Sequence, residues 1–218
     1  AKIGQFSSGL AHEINEPLAN ILGFAQLALQ SEDLPNQTAS DLQHIVDSTL
    51  YAREIIRKLM FFCRQMPPQI VPTDLNEIIE QALGITKAGA KKNQVDVRCD
   101  LDQSLPSIML DPQHMKQVVV NLVANSVQAM ENGGQLSIST SQHMNDVYLT
   151  VKDTGIGIYP EDLKQIFNPF FTTKDVDKGT GLGLSVVHGI IEAHGGFIQI
   201  QSEPGRGSIV EITFPCGN

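Results

Sequence analysis

No run of eighteen apolar residues occurs in this sequence, and its opening shows no basic stretch followed by an apolar one. The segment is therefore expected to be soluble and cytoplasmic, with any membrane attachment confined to regions that precede it. Basic residues are scarce: 15 Lys and Arg stand against 24 Asp and Glu, a formal charge of −9. A surface of that sign repels phosphate backbones, so nucleic acid is not an expected partner. Cysteine is thin as well. Cys63, Cys99 and Cys216 are widely spaced and form no CxxC pair, which argues against a disulfide framework or a zinc site and for a reducing compartment. What is present is 218 residues, 41% hydrophobic and 18% charged, enough for one large or two small globular domains. The sequence opens at Ala1, without Met and already helix-like, as expected of the catalytic end of a longer protein.

Two halves follow different patterns. Residues 1–66 lack strand-like alternation and read as two helices. Ile3, Leu10, Ile14, Leu18, Ile21 and Ala25 form an apolar seam on the first, and Leu42, Ile45, Thr49, Ala52, Ile56, Leu59 and Cys63 a heptad-spaced seam on the second. The turn and cap residues of Ser31–Thr38 make the pair an antiparallel hairpin. A lone hairpin cannot cover both seams, so a homodimer through residues 1–66, closing a four-helix bundle, is expected. Residues 67–74, with Pro67, Pro68 and Pro72, read as a connector. From residue 75 to 218 the pattern is mixed and predicts an α/β sandwich. Helices are expected at Leu75 to about Lys92, Pro112–Met130 and Leu184–Ala193, and strands at Val95–Leu101, Leu136–Ser141, Val147–Lys152, Phe197–Gln201 and Ser208–Phe214.

Five features bear on chemistry. At about 100° per residue His12 lies roughly 200° from both Leu10 and Ile14, so it is expected to face water. The neighbouring Glu13 can hold one imidazole nitrogen protonated and make the other the better nucleophile, although an ordinary solvated histidine stays open as a reading. Pro17 removes a helical hydrogen bond at a cost of about 3 kcal/mol, one turn beyond His12. Asn121 and Asn125, four apart, project from one helix face whose opposite side is Val118, Leu122 and Val127. Two neutral oxygens on one face suit Mg²⁺ that is already partly neutralised by phosphates, and a solvated helix face is the alternative. Asp153 ends a strand before the turn Thr154-Gly155-Ile156-Gly157, placing a carboxylate where it can accept from an exocyclic amine such as adenine's. An unremarkable Asp-Thr-Gly turn is the competing reading. Gly179-Thr180-Gly181-Leu182-Gly183 opens a helix and presents unpaired N–H groups to a phosphate. Between the glycine strings, residues 167–178 have aromatic anchors and polar tips, in the manner of a lid from which Lys174 or Lys178 reaches a terminal phosphate. His44, His114, His143, His188 and His194 belong to no constellation legible in the sequence.

Taken together, these motifs resemble the catalytic core of a sensor histidine kinase of a two-component system, over nearly the whole chain. His12-Glu13 is similar to the phospho-acceptor box, Asn121 and Asn125 to the N box, Asp153–Gly157 to the first glycine box, Phe167–Lys174 to the F box, and Gly179–Gly183 to the second glycine box. His194-Gly-Gly196 and Gly205-Arg-Gly207 resemble the family's ending. The resemblance implies a dimerisation and phosphotransfer hairpin followed by an ATP-binding domain with the Bergerat-type α/β sandwich. It implies ATP and Mg²⁺ as cofactors: Asn121 as the metal ligand, Asn125 beside it, Asp153 on the adenine amine, and Gly155, Gly157, Lys174, Thr180, Gly181, Leu182 and Gly183 around the nucleotide. His12 would take the γ-phosphoryl group with Glu13 as base or orienter, and pass it to the receiver domain of a response regulator.

Two positions depart from the family pattern. Glu16 stands where an Asn or Thr orients water for dephosphorylating the regulator, so weak phosphatase activity is expected. Gln128 stands where many relatives carry a basic residue. A superfamily ATPase and a non-catalytic dimer module remain as rivals. The His12 hairpin disfavours the first, and the intact Asn121, Asp153 and glycine strings disfavour the second.

Overall fold

The computed structural model describes residues 2–31, 34–63, 68–173 and 180–215, without the side chains of residues 2–13, 54, 55 and 57–63. The chain divides into two compact units, one built on the N-terminal helices and the other beginning at Pro67.

The first unit is a hairpin of α1 (Lys2–Ala28) and α2 (Asn36–Cys63). Leu22 and Ala25 of α1 bury against Val46 of α2, with Leu29 and Leu42 packed around them. Thr49 is buried too, its hydroxyl satisfied by the Ile45 carbonyl at 2.7 Å one turn back. The contact line differs from the expected seam. Leu22 and Val46 are buried, while Ile14, Ile21 and Ile45 remain exposed, as do Phe24, Leu27 and Leu50. Each apolar stripe is wider than one line of contact, and a single neighbouring helix covers only one flank of it. Among the described residues, no helix is long and apolar enough to cross a membrane.

The second unit is a five-stranded sheet with helices on one face. In chain order it comprises β1 (Val71–Thr73), α3 (Leu75–Lys92), β2 (Val95–Leu101), β3 (Ile108–Leu110), α4 (Pro112–Ala129), β4 (Gly134–His143), β5 (Asp146–Asp153), α5 (Pro160–Leu163), α6 (Gly183–Ala193), β6 (Phe197–Glu203) and β7 (Gly207–Pro215). The sheet order is β2-β4-β5-β7-β6, with β2 parallel to β4 and the other neighbours antiparallel. Alternation decides which face is covered. Leu136, Ile138 and Thr140 of β4, Val147, Leu149, Val151 and Asp153 of β5, and Val210, Ile212 and Phe214 of β7 all bury their side chains. In register they form cross-strand rows such as Ile138, Val151 and Val210. Helix α4 lies between α3 and α6 over this face, fully burying Val118, Val119 and Val123.

The principal helices and strands fall where periodicity places them, with ends shifted by one or two residues. Elements β1, β3 and α5 are new. Val71–Thr73, inside the segment read as a connector, pair antiparallel with Ile108–Leu110. Three-residue strands carry too few alternations to be read, and the Pro72 site is compatible because this is an edge pairing of a two-stranded sheet. Two aspartates start helices here: Asp74 caps α3 through the N–H groups of Asn76 and Glu77, and Asp111 caps α4 through those of Gln113 and His114.

Candidate active site

Asp153 is the last residue of β5, and the parity set by Val147, Leu149 and Val151 turns it toward the helices. Its side chain is buried, at 5% exposure. Oδ1 accepts the N–H groups of Gly155 at 2.9 Å and Ser208 at 3.2 Å, and Oδ2 accepts the hydroxyl of Ser126 at 3.1 Å. The turn that follows is fastened on both sides. Ile156 N–H donates to the Ala129 carbonyl at the end of α4, and Gly205 N–H donates to the Ile156 carbonyl. The Ser202 hydroxyl accepts Ile158 N–H at 2.8 Å and donates to the Gly207 carbonyl at 2.9 Å. Gly157 has φ +70°, and a Cβ there would strike the Glu203 carbonyl, so only glycine fits this approach. The first glycine turn is thus held between the end of α4 and the β6–β7 turn.

Asn121 and Asn125 project from α4 toward the start of α6. Asn121 Nδ2 donates to the Gly183 carbonyl at 3.4 Å while its Oδ1 accepts from Gln117 at 3.1 Å, and the Asn125 amide lies beside Gly183. Helix α6 begins at Gly183, and no side chain caps it. Leu182 is fully buried behind it, and the Ser185 hydroxyl turns back to the Leu182 carbonyl at 3.0 Å. The uncapped start of α6 therefore lies beside the two asparagine amides, a setting suited to phosphate. Thr180 precedes this point and is half-buried.

Phe167 and Phe170, in the segment expected to act as a lid, are tied to α6 and the residues just before it. Phe170 N–H donates to the Gly181 carbonyl at 3.0 Å. Gly181 has φ +65°, and a Cβ there would collide with the Phe170 backbone. The Phe167 ring rests on His188 of α6 with centroids 4.8 Å apart.

A second set of contacts locks the opposite ends of α4 and α6. Asp111 N–H donates to His194 Nε2 at 3.1 Å, and His194 Nδ1–H donates to the Ile190 carbonyl at 2.7 Å, which fixes the tautomer. Asp111 Oδ2 also accepts Gln69 N–H at 2.7 Å, and the His114 ring stands edge-on to His194 at 5.7 Å. Burial pushes His194 below its ordinary pKa of 6.5, as does the charge of His114, against the opposing effects of the Ile190 carbonyl and Asp111. Burial on its own raises Asp111, but the hydrogen bonds from Gln69, His114 and Gln113, with the charge of His114, hold its carboxyl below the usual range.

Residues 2–66 match the His Kinase A (phospho-acceptor) domain, and residues 110–218 match the histidine kinase-, DNA gyrase B-, and HSP90-like ATPase family. The chain belongs to the sensor histidine kinases of two-component systems. Among similar proteins, the sensor histidine kinase ZraS of Escherichia coli (strain K12) is 33% identical over 213 residues, covering 98% of this chain and 45% of ZraS. The chain thus spans about half the length of the curated relatives it matches. Full-length ShkA in complex with AMPPNP superposes with a TM-score of 0.80 at 25% identity, over 97% of this chain and 45% of ShkA. ThkA in complex with the response regulator protein TrrA gives 0.70 at 25% identity, over 99% of this chain and 62% of ThkA. The mixed sheet with one helix-covered face fits the Bergerat fold of the family's ATPase domain.

In this histidine kinase core, the expected residues Asn121, Asn125, Gly181, Leu182 and Gly183 lie about one helix start, and Asp153, Gly155 and Gly157 about one turn. The backbone of His12 and Glu13 is helical within α1, and their side chains lie outside the described residues, as does Lys174. Glu16, four residues after His12, is exposed, and so is Gln128. Sequence reasoning missed Ser126, Ser202 and Ser208 around Asp153, and left His188 and His194 unassigned. The signal for Ser126 was its place directly after Asn125 on a helix with a buried face; the other partners are too distant along the chain to be read.

Proposed function

We propose that this chain transfers the γ-phosphoryl group of ATP to His12 and then to an aspartate of a response regulator receiver domain. The observation that carries this reading is the convergence of Asn121 and Asn125 on the uncapped start of α6, in a chain whose first helix bears His12-Glu13. The family match of the second unit supports ATP binding, and ShkA is recorded with AMPPNP. Asp153 accepts the adenine amine, Gly155 and Gly157 let the base approach the backbone, and the N–H groups of Gly181, Leu182 and Gly183 with Thr180 and Lys174 receive the phosphates. The donor set fits Mg²⁺, since Asn121 offers a neutral amide oxygen next to a phosphate cradle. When bound, Mg²⁺ neutralises charge on the phosphates. A ring nitrogen of His12 attacks the γ-phosphorus in line, the bond to the β-bridging oxygen breaks, and ADP leaves. Glu13 orients the imidazole and draws off the charge of its remaining N–H. The chain contributes chiefly position and counter-charge.

The exposed apolar flank of the hairpin, with Ile21 at 46% and Phe24 at 72%, supports a homodimer through residues 1–66. The recorded complex of ThkA with TrrA supports a receiver domain as partner. Exposed Glu16 places a carboxylate one turn from His12, and this reading gives it the effect of suppressing regulator dephosphorylation. Incubation with γ-labelled ATP and Mg²⁺ tests the proposal. An acid-labile, alkali-stable label on the protein, lost in His12→Gln, is expected. Steady phosphate release without protein label would mean an ATPase instead, and nucleotide binding with neither would mean a regulatory module.

A further inference from the structure

We infer that Ser126 is a positioning residue that sets the base specificity of the nucleotide site by aiming the Asp153 carboxylate. The inference rests on the reading of Asp153 as the adenine acceptor. A carboxylate oxygen offers about two acceptor positions. Both positions on Oδ1 are taken, by Gly155 N–H at 2.9 Å and Ser208 N–H at 3.2 Å. On Oδ2 the Ser126 hydroxyl occupies one, at 3.1 Å. Among the described residues, that leaves Asp153 a single acceptor position for a ligand, and its direction is fixed by where Ser126 holds Oδ2.

Both side chains are buried at 5% exposure, so no bulk water competes for that position. A lone acceptor receives one N–H of a 6-amino purine and repels the oxygen of a 6-oxo purine. Ser126 also connects the two halves of the site. It follows Asn125 directly on α4, so the helix that presents amides to the phosphates presents a hydroxyl to the base carboxylate. Without the hydroxyl, Oδ2 has two open positions, the carboxylate is held through Oδ1 alone, and a water can enter where the base amine belongs.

The experiment uses the whole chain and two probes: ATP, and purine riboside triphosphate, which lacks only the 6-amino group. Dissociation constants are measured by displacement of a fluorescent nucleotide, with melting curves to show that each protein is folded. Ser126→Ala keeps helix propensity and nearly the same volume. The wild-type chain is expected to prefer ATP, and Ser126→Ala to lower that preference about five- to tenfold while purine riboside triphosphate binds as before. A merely structural role for Ser126 would weaken both nucleotides equally and leave their ratio unchanged. An unchanged ratio in Ser126→Ala, alongside a wild type that discriminates, overturns the role of Ser126 alone. A wild type that binds the two probes equally removes Asp153 from the adenine, and the role of Ser126 with it.

Discussion

Replacing His194 by alanine removes the acceptor for the Asp111 N–H, the donor to the Ile190 carbonyl and the edge-on partner of His114. Asp111 is itself buried, so its N–H is left without an acceptor and without ready access to water. An orphaned donor of this kind costs about 1–3 kcal/mol, and the lost packing of a half-buried ring adds about 1 kcal/mol. The total is roughly 2–4 kcal/mol, which for a unit of this size lowers the melting temperature by about 5–15 °C. Scanning calorimetry of the whole chain at pH 7.5 measures it. The same substitution has a signature in pH. His194 is held below its ordinary value when folded, so as pH falls below about 6.5 the unfolded chain takes up a proton at this site before the folded chain does. Stability therefore declines with falling pH in the wild type, and the His194→Ala chain lacks that part of the slope. Asp111, held low, acts in a separate and more acid window: its contribution is present above the ordinary carboxylate range and is lost as pH falls through its folded value. A variant that melts within about 2 °C of wild type, or whose stability between pH 7 and 5 falls as steeply, would refute the role given to this joint.

Two further outcomes are expected. Ile21→Asp should leave the hairpin helical, because Ile21 is already half exposed, yet weaken the dimer. In the proposed dimer one isoleucine from each protomer is lost, forfeiting roughly 3–6 kcal/mol, or about 10²–10⁴ in dissociation constant, and light scattering across a dilution series reads it. Glu16→Asn should raise dephosphorylation of the phosphorylated regulator, followed as loss of label from its aspartate; no rise would show that the carboxylate does not suppress it.

Local periodicity carried a great deal. The i,i+4 spacing of Asn121 and Asn125 needs only helix geometry to put both amides on one face, and the strand parity of β5 is enough to turn Asp153 inward. Which flank of a wide apolar stripe meets its neighbour is a different matter. Ile21 and Leu22 are adjacent and equally apolar, and only the crossing of α1 with α2 decides that Leu22 is the buried one. The pair that completes the site, Ser126 and Asp153, is separated by 27 residues, and the pair that locks the far ends of the helices, Asp111 and His194, by 83. No local rule links such positions. Ser126 reaches Asp153 because α4 packs on β5, and Asp111 reaches His194 because α4 and α6 pack side by side. The three-residue strands β1 and β3 were hidden for the opposite reason, being too short to show any period.

The tie between Phe170 and Gly181 has a consequence for how this kinase core tolerates change. Because Phe170 and Gly181 are joined through the backbone, the chain between them begins and ends at a fixed gap whatever its sequence. Most of the entropy of bringing the loop's ends together is already spent in folding, and that cost grows only slowly with length. Insertions or replacements between Phe170 and Gly181 are therefore expected to leave the start of α6 where it is.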